Sequence, residues 1–436
     1  MNNLTIKLFI ELIQVAIGNR SALSSVPTLQ EWQRLYNLMS MHTLIGIGYV
    51  AIQRLPRKQW PPKMLVLKWT SVANGIRNRN ISLNEECRSI CETFTLDGVE
   101  SVVIKGQSNL EYYPEALRDY RMPGDIDLWC QARNGVEIGE MIKGEVVNSE
   151  FQGIDGVIEY CKQYERIRGR DIHWNRVLYY HCELRSDSGI AIEPHYRISY
   201  LHSPIRNHRL QKWFTLQFDV CLRNKGQLGF PVLTSSVNVV YQLVHLYRHV
   251  FEGGIGLRQM MDYYFTLRTW HEESTPVMSA KEVMAVLRSF GMRKFAGAVM
   301  YVLHEAFENE ECLSELEMRN EKLGIERELK EMGPQADGEW SAITRNGQQL
   351  SKKYYAPWMI CEPNEKEGRK LLAEIMQGGN FGQYDTRDAK LKKGGMMKHG
   401  VWKLKRVMRL VRSYPEEALW EPVFRVWHLG WRKIHG

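Results

Sequence analysis

Two aspartates separated by one residue inside an apolar run, Gly124-Asp125-Ile126-Asp127-Leu128-Trp129, constrain this chain more than any other stretch. In an extended strand side chains alternate between faces, so Asp125 and Asp127 point the same way. Two carboxylates held together call for a cation, and Mg²⁺ binds through one or two carboxylates plus substrate phosphates. Gly124 supplies a tight turn just before them. Alone, the pair also fits a solvated turn entering an edge strand, so the flanking sequence has to decide.

A chain of 436 residues exceeds one ordinary core, which predicts about two to four units. Hydrophobic content of 44% and charged content of 25% describe a globular chain, and no apolar run reaches the length of a membrane span. Lys7 and Glu11 interrupt the first apolar stretch, which reads as an amphipathic helix rather than a signal peptide. The 8 cysteines form no CxxC pair, a pattern of reduced, buried thiols in a cytoplasmic protein rather than a structural zinc site. The net charge of +8 favours anionic partners without choosing among them.

Residues 1–97 read as helical. Apolar residues recur at helical spacing from Leu4 to Val15 and from Trp32 to Met39, with Thr28 and Glu31 in capping-box spacing ahead of the second run. A proline-free helical pattern extends from Lys63 to about Leu96. His42 has no partner in the sequence and reads as a core or surface histidine.

Residues 98–215 read as a small mixed-sheet core. Glu100 to Ile104 predicts a buried strand, followed at once by Lys105-Gly106-Gln107-Ser108 and a helical stretch. A strand entering a glycine turn and a helix start can present backbone N–H groups to a phosphate, with Lys105 adding charge. Arg118 and Arg121 lie between this turn and the aspartates, where either could clamp a triphosphate or simply solvate the loop. In Gly189 to Ile198, Glu193, His195 and Arg197 alternate with apolar residues and share one face. Glu193 would complete a three-carboxylate site able to align a phosphoryl displacement. Pro194 cannot donate to a ladder and suggests an edge or a strand end. Asp155, Asp171 and His173 rank below Glu193 because none sits in a clear strand.

These residues carry a resemblance. Ile104-Lys105-Gly106, Tyr113-Pro114, Arg121 and Gly124-Asp125-Ile126-Asp127-Leu128 resemble the nucleotidyltransferase superfamily of the DNA polymerase beta fold. More narrowly they are similar to a bacterial branch called uncharacterised nucleotidyltransferases. Glu193, His195, Tyr196 and Arg197 resemble its later acidic segment, and Gly256-Leu257-Arg258-Gln259 with Asp262 its Gly-Leu-Arg-Gln…Asp signature. In the usual turn a second small residue follows the glycine; here Gln107 stands there. The resemblance implies an α+β fold and transfer of a nucleoside monophosphate from an NTP to an acceptor hydroxyl, with Mg²⁺ or Mn²⁺. Asp125, Asp127 and Glu193 would hold the metal. Lys105, Gly106, Ser108, Arg121, Gly124 and Arg258 would serve the nucleotide, with His195, Arg197 and Asp262 nearby. Arg258 and Asp262, four apart on a helix, also fit a simple intrahelical ion pair. The acceptor, whether small molecule, sugar, RNA or protein, is not specified.

Residues 216–332 and 333–436 read as two further helical parts. His245 and His249 stand four apart without an HExxH pattern. Between Arg387 and Arg412 the chain has 10 Lys or Arg residues against one acid, with an apolar stripe of Trp402, Leu404, Val407, Met408 and Val411. Such a helix either docks by its stripe or lies on an anionic surface. Two other readings follow: an inactive nucleotide-binding or antitoxin-like partner, or a peripheral membrane component of glycan assembly.

Overall fold

The structure, a computed structural model, describes residues 3–142, 145–168, 172–186, 189–308, 356–387 and 395–435. It is α+β. Helices α1 (Asn3–Ile17), α2 (Leu29–Met41), α3 (Ile45–Arg54) and α4 (Lys63–Leu96) precede the sheet. Thr28 caps α2 reciprocally with Glu31, as its spacing predicts. His42, just after α2, is fully buried and accepts from the Leu257 amide at 3.4 Å, a core histidine rather than a ligand.

Strands β1 (Val99–Ile104), β2 (Ile126–Ile142), β3 (Glu145–Gln152), β4 (Ile172–Val177), β5 (Cys182–Ser186) and β6 (Ala191–His195) form one mixed sheet. Its order is β1-β2-β6-β5-β4, with β3 paired to β2. β2 and β6 run parallel; the other pairs are antiparallel. Helix α5 (Glu115–Arg118) lies between β1 and β2, and α6 (Gly153–Arg168) between β3 and β4. Pro194 therefore lies one residue from the end of an inner strand; of the two placements its chemistry suggests, it takes the strand end and not the sheet edge.

Strand alternation sorts the sheet into two faces. Val99, Val103, Ile126, Leu128 and Cys130 pack on Leu83, Ile90 and Phe94 of α4 and on Val157 and Tyr160 of α6. Val102, Ile104 and Trp129 join the other core, with residues of α7 (Pro204–Thr215), α8 (Phe218–Arg223) and α9 (Ser235–Glu252). Asp127 lies between Leu128 and Ile126 in the alternation, on the Trp129 side, so it is directed at the helices that follow. These include α10 (Leu257–Glu272), α11 (Ala280–Ser289) and α12 (Arg293–Leu303). The chain ends in α13 (Glu365–Gly378), α14 (Met396–Leu410) and α15 (Pro415–His435).

The apolar stripe expected on the basic helix divides. Trp402 and Val407 are buried, while Leu404 and Met408 are exposed. Arg406 is also buried, donating to the Val250 carbonyl at 2.7 and 3.0 Å, and Arg387 pairs with Glu374 and Asp385. Part of the basic charge is thus used for docking. Among the described residues no helix is long and apolar enough to cross a membrane. The seven cysteines described, Cys87 to Cys361, are free thiols.

Helix α3 and the loop before β2 meet closely at Gly46, where a Cβ would overlap the Tyr120 carbonyl. Helix α4 holds the same loop through Asn80 Nδ2, which donates to Asp119 O at 2.8 Å and Arg121 O at 2.9 Å. Gly46→Ala gains roughly 0.5–1 kcal/mol of helix propensity but forces a backbone shift costing about 1–3 kcal/mol. Net destabilisation is the expected result, read as a lower urea midpoint.

Candidate active site

The site is built on adjacent strand ends. In the parallel pairing of β2 and β6, Asp127 stands opposite Glu193 and Trp129 opposite His195. Asp125 immediately precedes β2, and period-two alternation sets it on the side of Asp127. Beside them, β1 ends in a left-handed turn, with φ of 56° at Lys105 and 42° at Gly106. Glycine accepts this conformation freely; at Lys105 it costs of order 1–3 kcal/mol. The turn is fastened by the Ser108 amide, which donates to Lys105 O at 2.8 Å, and the Lys105 ammonium lies 2.5 Å from Asp127 Oδ1.

Gln107, the residue that replaces the usual small one, is turned away. Its Nε2 donates to Asn84 Oδ1 on α4 at 2.6 Å, so it anchors the turn without occupying its open side. Ser108 opens a short 3-10 turn (Ser108–Tyr112) rather than an α-helix; it is buried and does not line the cavity described next.

A cavity of about 200 Å³ lies between this strand edge and helices α9 and α10. One wall carries Asp125, Asp127 and Glu193, together with Lys105, Gly106 and Gly124. The opposite wall carries Arg248, Arg258, His245 and His249, and Phe381 closes one side. Loss of water pushes the Asp125 carboxyl up to about 6, helped by repulsion from Asp127 and Glu193 and opposed by Lys105 and Arg258. Burial also opposes ionisation of Glu193, but the His195 hydrogen bond and the charges of His181 and Lys105 outweigh it and hold this carboxyl well below the ordinary range. Burial holds both cavity histidines of α9 neutral, His249 down to about 3 and His245 well below its usual value.

Arg121 and Arg258 depart from the pairing that the four-residue spacing suggests. Asp262 does not pair with Arg258. It accepts from Arg121 Nε and Nη2, both at 2.7 Å, and from Tyr113 Oη at 2.7 Å. Arg121 also donates through Nη1 to Met122 O at 3.3 Å, so it is a buried clamp between the loop and α10 instead of a free phosphate ligand. Arg258 reaches across to Met122 O at 3.0 Å and has no carboxylate within ion-pair distance among the described residues. Burial and the neighbouring Arg121 pull its pKa down to about 10. A half-buried guanidinium with no direct ion-pair partner is stabilised by an incoming anion.

His195 is brought to the site, its Nε2 lying 3.1 Å from Asp127 Oδ1 and 3.5 Å from Glu193 Oε2. Arg197 is not: β6 ends at His195, and Arg197 donates to Tyr179 O at 2.7 Å and stacks on that ring. Arg118 instead meets Gln227 Oε1 at 3.1 Å. Asp155 sits in the first turn of α6, His173 on β4 beside Glu165, and Asp171 outside the described residues. His181, in the turn between β4 and β5, has its Nε2 3.8 Å from Glu193 Oε2. It carried no sequence signal, because it lies in the turn, outside the alternation of either strand. Asn109 and Gln242 were equally silent; their amides are joined at 3.1 Å inside the cavity wall.

Two stability measurements probe these arrangements. Arg121→Ala leaves the Asp262 carboxylate buried and unpaired, so unfolding free energy should fall by about 3–5 kcal/mol, with the Arg121→Ala/Asp262→Ala double variant losing less than the sum of the single losses. Asp125 behaves oppositely. Its folded pKa exceeds the unfolded one, so its contribution favours folding below pH 3.8 and is lost as pH rises through about 6. Asp125→Asn should therefore stabilise metal-free protein at pH 8 by about 1 kcal/mol once solvent screening is allowed for, and change little at pH 4.

The family model described as Uncharacterised nucleotidyltransferase matches residues 28–308, which hold the sheet and all the cavity-lining residues named above except Phe381. No curated protein and no solved structure matches the chain significantly. The chain belongs to the uncharacterised nucleotidyltransferase family.

Proposed function

We propose that the protein transfers a nucleoside monophosphate from an NTP to an acceptor hydroxyl. The hydroxyl oxygen bonds to the α-phosphorus, the bond from that phosphorus to the bridging oxygen breaks, pyrophosphate leaves, and the hydroxyl proton passes to a base. The observation that carries this reading is the facing of two walls across one cavity: carboxylates on the strand edge, and Arg258, a cation without a carboxylate partner, on α10.

The donor chemistry of these residues suits a hard divalent cation. Asp125, Asp127 and Glu193 offer only oxygen, Lys105 pairs directly with Asp127 alone, and loss of water together with repulsion from Asp127 and Glu193 raises the Asp125 pKa. When bound there, Mg²⁺ or Mn²⁺ supplies charge neutralisation of the triphosphate and acidifies the acceptor hydroxyl.

The chain's own groups do the positioning. Lys105 sits on Asp127 at the cavity edge, where its ammonium would also meet phosphate oxygens. Arg258 draws the triphosphate towards α10. The Arg121–Asp262 clamp keeps the loop carrying Asp125 in register with that helix. Glu193 is held deprotonated by its histidine neighbours and is the candidate acceptor of the hydroxyl proton. Chemistry of this kind needs little beyond positioning and electrostatics.

Incubation with NTP labelled in the α-phosphate should yield labelled product, while γ-labelled NTP yields only labelled pyrophosphate. Transfer of the γ-label to product would overturn the reading. Arg258→Ala removes a charged hydrogen bond of about 1.5–3 kcal/mol and should weaken NTP binding roughly 10–100-fold. Asp127→Asn should lower transfer by about 10³-fold or more, with the fold retained by circular dichroism.

A further inference from the structure

Behind the carboxylate edge, His181, Glu193 and His195 offer three ligand atoms within 4.8 Å of one another. Both imidazoles are buried, His181 at 2% exposure and His195 at 0%. Both nitrogens of His181 and Nδ1 of His195 lack any hydrogen-bond partner. Buried ring nitrogens are ordinarily satisfied, and leaving them so is costly. The rings lie 4.9 Å apart, inclined at 34°, and their Nε2 atoms stand 3.8 and 3.5 Å from the same Glu193 oxygen. Ligands bound at about 2.0–2.2 Å around one ion are separated by little less than this.

We propose that His181, Glu193 and His195 form a second metal site, selective for a first-row transition dication such as Zn²⁺ or Co²⁺ over Mg²⁺. Two imidazoles and one carboxylate are the donor set of such ions, whereas Mg²⁺ prefers oxygen alone and keeps its waters. The backbone preforms the site. His181 and His195 are bridged across the sheet, and Glu193 and His195 are fixed by the register of β6 on β2. Glu183, whose Oε1 is 3.7 Å from His181 Nε2 and 2.7 Å from Arg176, adds negative charge around the pair. The site shares Glu193 with the carboxylate cluster, and His195 touches Asp127. Occupancy would orient both carboxylates towards the cavity. Binding there does not depend on the transfer reaction.

The test uses the full chain, stripped with chelator and titrated with Co²⁺, whose visible absorption reports nitrogen ligation, with Zn²⁺ content measured after gel filtration. Wild type should take up one ion with a ligand-field spectrum that millimolar Mg²⁺ does not erase. His181→Ala and His195→Ala should each weaken uptake by about 100-fold or more, with His181→Gln and His195→Gln as better-packed versions and thermal melts reporting folding. Asp125→Asn should keep the spectrum while weakening Mg²⁺-dependent NTP binding, which separates this site from the proposed reaction. No uptake by wild type, uptake unchanged in folded histidine variants, or loss in Asp125→Asn would each overturn it.

Discussion

The buried contact between Arg121 and Asp262 joins the two halves of the cavity. Arg121 belongs to the loop that delivers Asp125 and Asp127; Asp262 is one turn along α10 from Arg258. Two 2.7 Å hydrogen bonds with matched geometry, plus a third from Tyr113, fix the distance between the acidic and basic walls. Such a pair contributes little net stability against an apolar substitute, because desolvating both charges offsets most of their attraction. Its effect is on position. With Asp262 neutralised by Arg121, Arg258 is left as a cation facing the cavity, and the sheet edge is left with an excess of negative charge.

That division follows from the sheet. A parallel pairing of β2 with β6 sets Asp127 opposite Glu193, and alternation turns both away from the packed α4 and α6 face. The energetic cost appears locally: Lys105 in a left-handed conformation, Asp125 pushed up to about 6, Arg258 pulled down to about 10. Strained and shifted groups gathered round one cavity mark a site built for charged ligands.

Much of this was legible because its signals are local. The capping box of α2, the span of α4, the strand before Lys105-Gly106 and the Asp-x-Asp pair each declare themselves within a few residues. Glu193 was recognisable from alternation, and Pro194 beside it signalled the strand end near which it lies. What could not be read depends on long-range pairing. Four-residue spacing suggested Arg258 with Asp262, but Arg121 approaches from 141 residues away and takes that carboxylate. Gln107 looked like a flaw in the turn, but its bond to Asn84 draws it onto α4 and away from the cavity. His181 had no sequence signature, since only the β4–β5 hairpin carries it to Glu193. The apolar stripe of α14 divided because buried Arg406 occupies part of its inner face.

The central claim is that the two walls hold one nucleotide, α-phosphate towards the carboxylates and the outer phosphates towards Lys105 and Arg258. A crystal structure with Mn²⁺ and an NTP analogue that cannot be cleaved at the α-phosphorus tests it most directly, because anomalous scattering locates the metal independently of the nucleotide. The account predicts a manganese peak bounded by Asp125, Asp127 and Glu193 and touching the α-phosphate. A nucleotide bound elsewhere, or bound here with its γ-phosphate at the carboxylates, would contradict it.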